Sequence, residues 1–127
     1  MILNRTYPAT PITLNRKQLL EMNILLLQAF FPQEFTDKER EILLQYLLCL
    51  DESLSIHDKE VKLRVTEKCK LKSTASLNVY NERLRDKQAF IIKGKEWVVN
   101  PLLYVPKETT KYNLKVECHL EKQSLQH

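Results

Sequence analysis

The chain has 127 residues, 43% hydrophobic and 28% charged, with one glycine and five prolines; this suffices for one buried core and excludes wholesale disorder. Its three cysteines, Cys49, Cys69 and Cys118, are odd in number and lack a CxxC pair, which excludes a disulfide frame and fits reduced thiols in a cytoplasmic setting. The longest apolar stretch, residues 24–31, is interrupted by Gln28 and falls short of the roughly 20 residues a membrane span needs. With no signal-peptide pattern at the start, the expectation is a soluble protein of the cytoplasm, or of a virion assembled there, with no membrane partner.

Residues 1–14 carry Pro8 and Pro11 among threonines and isolated apolar side chains, which predicts an extended arm. A first helix opens at Asn15, with Gln18 placed to complete a capping box, and runs to Phe31 before Pro32. Its apolar residues nearly encircle it, so one flank calls for cover by another element or subunit. Thr36 and Glu39 form the clearest capping box, and Ile42, Leu43, Tyr46, Leu47 and Leu50 follow at helical spacing as a central core element. Residues 51–57 read as a polar loop. A third helix over residues 58–69 turns its Val61, Val65 and Cys69 inward.

Lys70, Leu71 and Lys72 make a turn, and Ser73 or Thr74 caps a fourth helix with Leu77, Tyr80 or Asn81, and Leu84 as its inward stripe. Ser76, Asn78, Val79, Glu82 and Arg83 face outward. The single glycine, Gly94, lies between two strand-like runs and predicts a hairpin over residues 89–100, because a tight turn needs a positive φ that glycine adopts without steric cost. Pro101 closes it. From Tyr112, residues Leu114, Val116, Cys118 and Leu120 alternate with polar ones, the period of a half-buried strand that must pair with the hairpin, the first arm or a neighbouring chain.

Charge is unevenly spread. Residues 59–96 hold eleven basic side chains against five acidic ones, a surplus of six in a chain whose formal net charge is +4.

The stretch VTEKCKLKSTASLNVYNERLRDKQAFIIKGKEWVVNPLLY, residues 65–104, resembles the winged helix-turn-helix superfamily, and most nearly the wing region of plasmid and phage replication initiators and MarR-type regulators. The likeness lies in Leu84-Arg85-Asp86-Lys87, the basic hairpin and Asn100-Pro101. Lys70 and Gln88 stand where such folds often carry glycine. The resemblance implies an α+β, mainly α fold: three to four helices and a β-hairpin wing over residues 15–106, with arms at 1–14 and 107–127. It also implies a double-stranded DNA partner. Ser73, Thr74, Ser76, Asn78 and Val79 would face base edges, and Lys70, Lys72, Arg83, Lys93 and Lys95 would touch phosphates.

Phe90 and Trp97 are expected to pack the hairpin on the helices rather than stack on bases. His57, Cys69, Cys118 and His119 lack metal-site spacing, and no Gly-rich phosphate loop, nucleophile elbow or paired-carboxylate cluster is present, so a non-enzymatic protein with no cofactor and no metal is expected. The alternative is an adaptor subunit of an oligomer, such as a phage ring or head–tail connector, which uses the same body as scaffold and Tyr112, Leu114, Val116 and Leu120 for assembly with its own copies or other subunits of a particle.

Overall fold

Every long helix begins at a side chain that satisfies the free N–H groups of its first turn. The computed structural model describes residues 12–50, 53–109 and 111–112. Asn15 caps α1 (Arg16–Leu27) and Thr36 caps α2 (Asp37–Cys49), each in a full capping box, with Gln18 and Glu39 reaching back to the cap N–H. Asp58 caps α3 (Lys59–Lys68) and Ser73, not Thr74, caps α4 (Thr74–Asp86). Two antiparallel strands follow, β1 (Phe90–Lys93) and β2 (Glu96–Val99), then a 3-10 turn at Pro101–Leu103. Together they give an α+β fold, mainly α, within a compact unit spanning Leu14–Lys107.

The first helix is shorter than expected. It leaves α geometry at Leu27, tightens into a 3-10 turn at Gln28–Phe30, and Phe31 is extended at φ −93° and ψ 156°. Proline imposes this, because the ring of Pro32 clashes with an α conformation at the residue before it. The flank carrying Leu25, Leu26 and Phe30 stays exposed. The opposite flank, Leu20, Asn23 and Ile24, is buried. Asn23 Nδ2 donates to the Leu103 carbonyl at 3.3 Å and the Arg16 guanidinium to the Val105 carbonyl at 2.8 Å, so the last residues of the unit are fastened to its first helix.

The core is centred on α2, whose Ile42, Leu43, Tyr46 and Leu47 are fully buried. Val65 and Cys69 join it from α3, and Leu77, Asn81 and Leu84 from α4. Asn81 rather than Tyr80 takes the inward position because it has a partner there: its Nδ2 donates to Tyr46 Oη at 2.9 Å, and the Tyr46 hydroxyl donates to its Oδ1 at 3.1 Å. A buried polar pair closed on itself avoids the cost of orphaned groups.

Residues 53–57, the described part of the expected polar loop, are not the simple loop that their composition suggests. Leu54 and Ile56 are buried, and Ser55 bridges Val98 in antiparallel sense. The Ile56 N–H donates to the Trp97 carbonyl at 3.0 Å and the Val99 N–H to the Leu54 carbonyl at 2.9 Å. Residues 54–56 therefore lie along the free edge of β2 as a short third rung, which leaves β2 in the middle. His57 extends the join, its Nε2 accepting from the Trp97 N–H at 3.0 Å.

Gly94 has φ +66° at the first of two turn residues, the pattern of a primed hairpin turn opened by glycine. An added Cβ there meets nothing within 4 Å, so the demand for glycine is conformational rather than spatial. Three other described residues, Leu54, Lys70 and Gln88, take a positive φ without being glycine, and the last two end helices. Helix α3 ends with Leu71 N–H bonded to the Thr66 carbonyl and Lys70 N–H to that of Glu67; α4 ends with Ala89 N–H bonded to the Leu84 carbonyl and Gln88 N–H to that of Arg85. Both are Schellman endings, and their pivots Lys70 and Gln88 sit at φ +55° and +67°. Replacing either with glycine is expected to raise stability by about 0.5–1 kcal/mol, read from urea midpoints at unchanged slope, since left-handed strain outweighs the backbone entropy of glycine.

The described residues of the second unit, Met1–Thr13 with Glu108–His127, contain no helix or strand. Tyr112 has no regular structure there. Most of the expected first arm, and the expected strand with Leu114, Val116, Cys118 and Leu120, lie outside the described residues. Among the described residues no helix is long and apolar enough to cross a membrane.

Candidate nucleic-acid interface

The ten residues expected to meet DNA occupy three consecutive pieces of the fold. Lys70 and Lys72 are exposed in the α3–α4 turn, and Lys70 owes its outward position to the left-handed pivot. Ser73 is exposed at the N-cap, its Oγ accepting from the Ser76 N–H at 3.3 Å. On α4, Asn78, Val79 and Arg83 are exposed, whereas Thr74 and Ser76 are half-buried. Lys93 and Lys95 are exposed on either side of Gly94 at the hairpin tip. Helix α4 contacts both α3 and β1, so the helix and the hairpin belong to one packed group.

Electrostatics within the group are not uniform. The Arg83 guanidinium lies over the Tyr80 ring at 5.3 Å, and Arg85 over the Trp97 ring at 4.6 Å. Helix α4 carries its cations, Arg83 and Arg85, only in its second half, beside the exposed Glu82 and Asp86, so the cationic surface of the group is concentrated in the preceding turn and at the hairpin tip. Lys62, on α3, places its Nζ 3.5 Å from Asn78 Oδ1. Sequence spacing assigned no role to Lys62, because nothing in the order of residues tells which turn of α3 lies beside α4.

Lys87 counts in the basic surplus yet serves a different purpose. Its Nζ is 2.6 Å from the Glu39 carboxylate and 2.9 Å from the Glu34 carbonyl, which ties the end of α4 to the start of α2. Burial acts to raise the Glu39 carboxyl pKa, but Lys87 and the Thr36 N–H and hydroxyl outweigh it and hold the group below its ordinary value. Burial pushes the Cys69 thiol up to about 11, with the Glu41 carboxylate adding to the effect, so it stays protonated as a core group.

Phe90 is buried and meets the Tyr46 ring edge-on at 5.4 Å. Trp97 is half-buried between Arg85 and His57. Both aromatics therefore anchor the hairpin. Asn100 secures its base, donating from Nδ2 to the Gln88 carbonyl at 3.1 Å while its Oδ1 accepts from the Leu102 N–H at 3.1 Å. Among the described residues no group of three or more His, Cys, Asp or Glu side chains is placed to hold a metal ion. No protein-family model, curated protein or solved structure matches the chain.

Proposed function

We propose that the protein binds duplex DNA without catalysing a reaction on it, as a winged helix-turn-helix protein of transcription or replication control. On this reading α3 and α4 are the helix-turn-helix, α4 enters the major groove and the β1–β2 hairpin is the wing. One observation carries most of the argument: residues 54–56, between α2 and α3, run beside β2. The order helix, bridged segment, helix, helix, hairpin is compatible with a winged helix, and it arises here from hydrogen bonds that the reading of residues 65–104 did not use. The exposed cations supply the second support, since phosphate contacts from lysine and arginine provide affinity that is independent of sequence.

The test is binding of the full chain to duplex DNA across a salt series. Each lost phosphate contact lowers the slope of log K against log salt by about 0.9, so joint Lys93→Ala and Lys95→Ala replacement is expected to reduce it by about two. No retention of any duplex at low salt rejects the proposal.

A second reading, the assembly subunit, rests on α1. Leu25, Leu26 and Phe30 are exposed there, and an open groove of about 840 Å³ between α1, α2 and α3 has Ile24, Leu44 and Leu48 among its lining residues. A stable oligomer in light scattering, with no DNA binding, supports that reading over the first.

A further inference from the structure

The N-terminal half of α4 has an unusual gap in its chemistry. Leu77, Asn81 and Leu84 face the core, so at helical spacing Ala75 and Val79 lie on the side turned away from it and Asn78 on the flank towards α3, and all three are exposed. Between Ser73 and Glu82 there is no arginine or lysine. Guanine is read in the major groove chiefly by a bidentate arginine or lysine, and this stretch supplies neither. The next cation along the helix, Arg83, lies over Tyr80. A carboxylate reader of cytosine appears only at Glu82, one turn beyond Asn78, where its charge also opposes close approach to phosphates.

What is exposed on that half-helix is the Asn78 amide and the apolar Ala75 and Val79; the half-buried Thr74 and Ser76 hydroxyls beside them suit any base and do not discriminate. Asn78 can accept from the N6 amino group of adenine through Oδ1 and donate to N7 through Nδ2. The Lys62 ammonium beside Oδ1 favours the amide rotamer with the oxygen towards α3, and Oδ1 keeps a second lone pair for the base. Val79, half-exposed, and Ala75 offer apolar contact of the kind that reads the thymine C5-methyl.

Resting on the DNA-binding reading above, we propose that this turn of α4 selects A·T base pairs in the major groove, with Asn78 on the adenine edge and Val79 against the thymine methyl.

The experiment selects binding sites from a randomised duplex pool with the full chain, then measures the selected duplex by anisotropy. It compares thymine with uracil, A·T with G·C replacements, and the wild type with Asn78→Ala. The expected result is enrichment of A·T pairs, a several-fold weakening when uracil removes the methyl, and a roughly tenfold or greater fall in A·T preference in the variant. The uracil arm uses the wild-type protein and touches only the major groove, so it is independent of any folding defect and of minor-groove readout. Enrichment of G·C pairs, or binding indifferent to both uracil and Asn78→Ala, overturns the inference while DNA binding stands. Failure to retain any of the pool at low salt removes both.

Discussion

Glu39→Ala is expected to destabilise the protein by about 3 kcal/mol, because it leaves a partly buried charge without its partner. Glu39 is 1% exposed and does two tasks at once: its carboxylate accepts from the Thr36 N–H at 2.7 Å and pairs with Lys87 at 2.6 Å. Removing it opens the capping box and leaves the Lys87 ammonium, itself only 17% exposed, with the Glu34 carbonyl alone. For a domain of this size the loss corresponds to roughly 15 °C in the melting temperature. Glu39→Gln keeps an acceptor for Thr36 and isolates the charge, so it should cost less than alanine. Joint Glu39→Leu and Lys87→Met replacement should recover much of the loss, since the penalty lies in a charge left unpaired. A drop below about 1 kcal/mol for Glu39→Ala would show that water reaches Lys87 freely.

The same pair sets a pH dependence. A carboxyl held below its ordinary value near 4.5 contributes stability that is fully present above that value and is lost as pH falls through the depressed folded value. Wild type should therefore lose stability below about pH 4.5 more steeply than Glu39→Gln, checked by urea melts down an acid series.

Phe90→Ala is the second large effect, expected to cost about 3–5 kcal/mol. Phe90 is buried, faces Tyr46 edge-on and stands opposite Val99 at the base of the hairpin. Its loss should loosen the hairpin from the helices while Lys93 and Lys95 remain in place. If the tip touches phosphate only when the hairpin is docked, Phe90→Ala should lower the salt slope as the double lysine variant does, although it changes no charge. A slope equal to that of wild type, measured where the variant is still folded, would remove the hairpin from the interface.

The sequence disclosed what depends on neighbours in the chain. Capping at Asn15 and Thr36 was legible because a cap and its partner lie three residues apart, while for α4 the sequence left Ser73 and Thr74 as alternatives. The hairpin was legible from Gly94, and the α4 stripe from Leu77 and Leu84. The third rung at residues 54–56 was not, because three residues are too few for alternation to stand out between polar neighbours, and the bonds that define it go to Trp97 and Val99. Lys87 was indistinguishable from its solvated neighbours, since the carboxylate that claims it is 48 residues away. Lys62 and Asn78 likewise meet only through the packing of α3 on α4. The ten candidate interface residues, named from the resemblance, lie on the turn, helix and tip; the outward Glu82 was legible beside them, and the fold added the ring of Tyr80 under Arg83 and the Lys62 ammonium beside Asn78.

Trp97 is the only tryptophan in the chain, and it stands where the hairpin meets Arg85 of α4 and His57 of the edge segment. Its fluorescence thus originates from a single joint. Any event that lifts, twists or tightens that joint alters the indole's polar surroundings directly, so the molecule carries its own optical gauge of the ribbon's seating.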